Sequence, residues 1–138
     1  MRKRPPMNRG PGSTGPAASR GRILIIEDDP EAALFAVHVL GKRGHFDVTH
    51  TADPAAAIGL AAREHWDLVL TDMELPGMTF AGLLDELRRV APGIPVAVLS
   101  AHVEMAELSH RAQAFLKKPV KIEHLIATAS ALIERTGQ

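Results

Sequence analysis

The strongest constraint on this chain is a series of short aliphatic runs, each too short for a helix, separated by stretches with helical spacing. Ile23–Ile26 is a four-residue run rich in β-branched side chains and reads as a buried strand. Phe46–Thr49 predicts a second, weaker strand, Leu68–Thr71 a third, Pro95–Leu99 a fourth and Ala114–Lys117 a fifth. Pro30 sits where a first helical turn tolerates proline, and Leu34, Val37, His38 and Gly41 follow on one stripe. Asp53-Pro54 reads as an N-cap and first-turn proline opening an alanine-rich helix to about Glu64. Leu83, Leu84, Leu87 and Val90 mark a third helix. A short fourth helix is expected over Glu104–Arg111, and Ile122–Arg135 reads as a final amphipathic one. Five strands alternating with five helices predict an α/β fold, a parallel sheet covered on both faces.

Charge divides the chain in two. Sixteen basic and sixteen acidic residues balance over 138 residues. Residues 1–22, however, hold six of the basic residues (Arg2, Lys3, Arg4, Arg9, Arg20 and Arg22) and no acid, which leaves residues 23–138 at a net −6. Residues 1–21 contain four prolines and four glycines without apolar periodicity, so they are expected to form a disordered basic tail, with the folded domain at 22–138. An acidic domain is a poor nucleic-acid binder. The absence of cysteine excludes disulfides, thiolate zinc sites and thiol nucleophiles. The longest largely apolar stretch, Ala55–Ala62, is far short of a membrane span. Pro5-Pro6 follows Arg2-Lys3-Arg4 where a signal peptide would turn apolar, so a cytoplasmic location is expected.

In an open α/β sheet, ligands bind beyond the carboxyl ends of the strands, near the switch in strand order. The residues found there are Glu27, Asp28 and Asp29 after the first run, Asp72 after the third, Ser100 after the fourth, and Lys118-Pro119 after the fifth. Clustered carboxylates repel one another unless a cation neutralises them, and an all-oxygen donor set selects a hard ion, Mg2+. A carboxylate beside a metal, a lysine and a hydroxyl suits phosphoryl transfer. Asp72 is then the nucleophile, Lys118 and the metal balance charge on the transferring oxygens, and Ser100 donates a hydrogen bond. Asp29 reads as the N-cap before Pro30, Lys117 as a solvated neighbour and Trp66 as packing. His38, His45, His50, His65, His110 and His124 lack ligand-like spacing and read as surface or boundary residues.

These pieces in order (Ile-Leu-Ile-Ile-Glu-Asp-Asp, then Asp-Met-Glu-Leu-Pro-Gly-Met from Asp72, then Val-Leu-Ser-Ala and Phe-Leu-Lys-Lys-Pro) resemble the receiver domain of two-component response regulators over about residues 22–136. The 44-residue spacing from Asp28 to Asp72 also fits that family. The resemblance implies a flavodoxin-like, doubly wound five-stranded sheet with five helices. It implies Mg2+ held by Glu27, Asp28, Asp72 and the backbone carbonyl of Glu74, with Asp72 the phosphoacceptor and Lys118 on the phosphoryl group. It further implies Ser100 and Phe115 as the switch pair, Glu74 and His102 as rate-tuning side chains, and a cis Lys118-Pro119 bond. The implied partners are a histidine kinase or histidine phosphotransfer protein upstream. Downstream stands a protein partner, or a second copy of the chain, on the face of the fourth helix, fifth strand and last helix.

Departures from the family pattern define the alternatives. Thr79-Phe80 stands where the family usually has Asp-Gly, and Phe80 is ill suited to positive φ, so a reshaped loop is expected, with Gly82 absorbing part of the turn. The Ser100-to-Lys118 interval is about one helical turn shorter than is typical, which predicts an atypical fourth-helix region. Arg111-Ala112-Gln113-Ala114 and Val120 likewise depart from the family's usual residues. The expected function is a stand-alone, Mg2+-dependent receiver that accepts phosphate on Asp72 and signals through protein contacts, without free-substrate turnover. The alternative is a phosphorylation-independent interaction module of the same fold. A Mg2+-dependent phosphatase or phosphotransferase is disfavoured, because the chain has no cap domain.

Overall fold

A computed structural model describes residues 19–101 and 112–136. Its five strands are β1 (Arg22–Ile26), β2 (Asp47–Thr51), β3 (Leu68–Asp72), β4 (Val96–Ser100) and β5 (Ala114–Lys117). All pair in parallel, in the order β2-β1-β3-β4-β5. The chain runs outward from β1 to β2, then crosses back over β1 to β3, so the switch point lies between β1 and β3. Four helices are described: α1 (Pro30–His38), α2 (Pro54–Arg63), α3 (Phe80–Val90) and α4 (Ile122–Thr136). A five-residue π-helical turn, Val39–Arg43, continues α1. The expected helix over Glu104–Arg111 lies outside the described residues.

Alternation along the strands builds two cores. Ile23, Ile25, Leu68, Leu70 and Leu116 face α1 and α4, where Ala36, Val39, Leu40, Leu125, Ala129 and Leu132 meet them. Leu24, Ile26, Val69, Val96 and Val98 face α2 and α3, packing on Ala57, Ala61, Leu83, Leu84, Leu87 and Trp66. Both faces of β1, β3 and β4 are therefore buried, which is why their sequences are unbroken apolar runs rather than alternating ones.

Helix starts follow the sequence closely. The Asp29 side chain accepts from the Ala32 N–H at 3.2 Å, and Asp53 from the Ala55 N–H at 3.1 Å, each directly before a proline. The buried stripe of α1 follows the expectation only in part: Gly41 is buried and Val37 packs on the core. Leu34 is 71% exposed and His38 is exposed, while Ala33, Ala36, Val39 and Leu40 point inward. The small alanines let α1 lie close to the sheet, and Val39 and Leu40 set its rotation from the π turn. Three strand ends also shift: β2 runs to Thr51, β3 to Asp72 and β4 to Ser100. The Met73 N–H bonds the Leu99 carbonyl and the Lys118 N–H the Ser100 carbonyl, which extends the ladder to the pocket rim.

The segment expected as tail up to residue 21 is instead tied to the domain from Ser19. The Arg20 N–H donates to the His45 carbonyl at 2.9 Å, and the Arg20 guanidinium donates to Ser130 Oγ at 2.6 Å and covers the Phe46 ring. Gly21 adopts φ +150°, and a Cβ there would press on the Ile133 side chain at 3.2 Å. Trp66 packs as expected, buried beneath the Arg22 guanidinium, with its indole N–H on the Leu60 carbonyl.

Leu70 stands in the middle of β3 at 1% exposure. Leu70→Ala is expected to cost about 2–5 kcal/mol through lost burial and a residual cavity. In urea denaturation the midpoint then falls while the slope stays unchanged.

Candidate functional site

The pocket is assembled from the carboxyl ends of three strands. Glu27 and Asp28 follow β1, Asp72 is the last residue of β3, and Lys118 follows β5. One carboxylate oxygen from each of Glu27, Asp28 and Asp72 lies within 4.8 Å of the others. Lys118 Nζ stands 3.4 Å from Glu27 Oε1 and 3.5 Å from Asp72 Oδ1. The Glu74 N–H donates to Asp72 Oδ1 at 3.3 Å, and the Asp29 N–H to Glu27 Oε2 at 3.2 Å. Asp72 is nearly buried, Glu27 fully so, and Asp28 is exposed at the mouth. Thr71 is wholly buried, and its hydroxyl donates to the Asp72 carbonyl at 2.9 Å.

Burial pushes the Glu27 carboxyl above the ordinary carboxylate range. The Asp29 N–H pulls it back, the neighbouring Asp72 charge raises it further, and Lys118 lowers it. Three carboxylates against one ammonium leave negative charge in excess, and every donor atom of the cluster is oxygen. A hard divalent cation with oxygen ligands fits this set.

Ser100 is the last residue of β4 and is 1% exposed. Phe115 lies opposite Val98 on β5, half-buried against the α2/α3 core. Strand alternation puts Ser100 and Phe115 on the same face of neighbouring strands. Glu74 is exposed on the β3–α3 loop, and the Lys118-Pro119 bond is cis. His102 lies outside the described residues.

The β3–α3 loop corrects one expectation. Positive φ falls on Gly77, at +87°, and Gly82 is not needed for it. Thr79 caps α3, its hydroxyl accepting from the Gly82 N–H at 3.0 Å, and Phe80 opens the helix with its ring buried in the core. His50 is exposed, as a surface or boundary residue is expected to be, but it also reaches the pocket's backbone. Its Nε2 lies 2.8 Å from the Glu27 carbonyl oxygen. The strand predicted over 46–49 stops one residue before His50, whereas β2 continues through it.

Fold and pocket together define a parallel α/β domain with a carboxylate cluster at its topological switch point. A sequence profile of the response regulator receiver domain matches residues 23–130, and the chain belongs to that family. Among curated relatives, it is 34% identical over 119 residues to the probable transcriptional regulatory protein TcrX of Mycobacterium tuberculosis, which covers 83% of this chain and 50% of TcrX. The chain thus spans about half the length of the curated relatives it matches. Among solved structures, the receiver domain of a Pseudomonas aeruginosa sensor histidine kinase, with a magnesium ion coordinated in its active-site cleft, aligns with a TM-score of 0.76 at 26% identity, covering 83% of this chain and 98% of its own. A CheY-like receiver domain protein from Methanospirillum hungatei aligns at 0.77 with 23% identity, over 84% of this chain and 95% of its own, and shares the fold. Among the described residues, no helix is long and apolar enough to cross a membrane.

The raised Glu27 carboxyl carries a stability consequence. A proton held more tightly in the native state than in the unfolded chain stabilises the fold at low pH, and that stability is lost as pH rises through the native value. Without divalent cation, Glu27→Gln is therefore expected to melt above wild type at neutral pH. The advantage shrinks as the medium is acidified toward the ordinary carboxylate range. Thermal unfolding in chelator across that window measures it, and identical melting curves for both proteins throughout would refute it.

Proposed function

We propose that this receiver domain accepts a phosphoryl group on Asp72 from a histidine kinase or histidine phosphotransfer protein, in a reaction dependent on Mg2+. The observation that carries the reading is the convergence of three carboxylates on one lysine at the switch point. An Asp72 oxygen attacks phosphorus, a P–O bond forms as the donor's P–N bond breaks, and the departing imidazole keeps the electron pair. Glu27, Asp28, Asp72 and the Glu74 carbonyl would hold the ion, which when bound would neutralise charge on the phosphoryl oxygens.

Lys118 balances the remaining charge from the other side, and Ser100 donates its hydroxyl to a phosphoryl oxygen. Its movement is read by Phe115, one strand away on the same sheet face. Glu74, exposed at the pocket mouth, and His102 tune the rates of phosphorylation and hydrolysis. Output passes through protein contacts on the β5 and α4 side, in the cytoplasm, without turnover of a free substrate. The Phe80 departure does not favour a phosphorylation-independent module, because Phe80 is accommodated as the first residue of α3.

Intact-protein mass spectrometry after incubation with acetyl phosphate and Mg2+ tests this. Wild type is expected to gain one phosphoryl mass, which chelator abolishes, while Asp72→Asn gains none and keeps its fold by circular dichroism. An Asp72→Asn protein that still acquires acid-labile phosphate would sink the assignment. A wild type that stays unmodified by acetyl phosphate and by candidate kinases would favour the phosphorylation-independent reading.

A further inference from the structure

Glu27 and Asp28 are joined by one peptide unit, which lies just beyond the last paired residue of β1, Ile26 opposite Thr51. On its amino side Glu27 remains in the ladder, its N–H donating to the Thr51 carbonyl at 3.1 Å. On its carbonyl side the strand pairing has ended, and there the His50 ring takes over, with Nε2 at 2.8 Å. A carbonyl oxygen only accepts, so Nε2 carries the hydrogen. The His50 side chain thus continues, by one further bond, the pairing of edge strand β2 with β1.

That bond falls at a sensitive point. Glu27 is held by burial, but Asp28 is exposed, so packing does not fix its direction. The peptide plane that precedes it helps set where its Cα–Cβ bond points. We propose that His50 is a positioning residue for the cation: by holding the Glu27 carbonyl it locks the Glu27–Asp28 peptide plane, and so keeps both carboxylates on the side facing Asp72. This rests on the metal-dependent phosphoacceptor reading above. His50 touches neither the ion nor the phosphoryl group. Its effect is to lower the entropy that Asp28 loses when it becomes a ligand, as outer partners do in other metal sites.

Three substitutions separate positioning from simple stabilisation. His50→Gln keeps an N–H donor at about the reach of the imidazole, His50→Asn keeps polarity but is too short, and His50→Leu removes the donor. The probe is Mn2+, whose binding to the unphosphorylated protein is followed from the free-ion electron paramagnetic resonance signal, with metal-free melting recorded alongside. His50→Leu and His50→Asn are expected to weaken Mn2+ binding about tenfold, while His50→Gln stays close to wild type.

Leu and Asn variants that bind Mn2+ like wild type would overturn the inference. So would a folded Gln variant as weak as Asn, or a loss that follows melting temperature across the series. If the Leu variant does not fold, the Gln and Asn pair decides. Acetyl phosphate labelling of wild type keeps the two readings apart. A wild type that neither binds Mn2+ nor takes up phosphate removes the underlying function as well, whereas an active wild type with unaffected variants removes the role of His50 alone.

Discussion

Mutual repulsion among Glu27, Asp28 and Asp72 is the interaction around which the upper edge of this domain is organised. Two unit charges about 4 Å apart cost about 4 kcal/mol at a surface-like effective dielectric, and here three carboxylates share a pocket within 4.8 Å. One lysine offsets part of this, reaching both Glu27 and Asp72. The rest is relieved by protonation, which is the direction in which Glu27 is pushed, or by a second cation. The pocket is thus least comfortable when it is both empty and fully ionised. The charge balance of such a site fits a divalent ion before any contact with a phosphodonor is considered.

Such a cluster persists only if the backbone beneath it cannot relax. Asp72 ends a strand flanked on both sides, by β1 and by β4, and it is itself paired with Leu99. Glu27 leaves the strand that neighbours β3 on the other side of the switch point. Both strands are buried on two faces by helices, so an outward slide of either carboxylate would drag several core side chains with it. The energy that holds like charges together is therefore supplied by apolar burial along β1 and β3, several residues below the pocket.

The sequence made most of this legible because the two problems use different residue types. Burial on both faces requires unbroken aliphatic runs, and those runs point to their own carboxyl ends, where Glu27, Asp28, Asp72, Ser100 and Lys118 stand at or just past the last strand residues. The misreadings fall where a residue's type did not indicate its environment. Leu34 reads as core and is exposed, because the face of α1 is chosen by how closely Ala33 and Ala36 allow it to approach the sheet. His50, by contrast, is exposed as its surface-or-boundary reading expects, but that reading does not reveal that its ring bonds a backbone carbonyl on a neighbouring strand. That contact depends on a strand end and a register, which side-chain periodicity does not specify.

The β3–α3 loop shows how a departure from a family pattern can be absorbed without disturbing the pocket. The loop must turn sharply after Asp72, and the positive φ this requires is taken by Gly77. Beyond that point no residue needs an unusual conformation, so a bulky aromatic is permitted. Thr79 supplies the cap that the first turn of α3 needs, and a Cβ at Gly82 would stand 3.0 Å from the capping hydroxyl, which would have to shift slightly to admit it. Phe80 then anchors the start of the helix in the α2/α3 core. The departure thus places a capping hydroxyl and a buried ring at the far end of the loop that carries Glu74. The near end of the same loop meets the pocket directly, where the Glu74 N–H donates to Asp72 Oδ1.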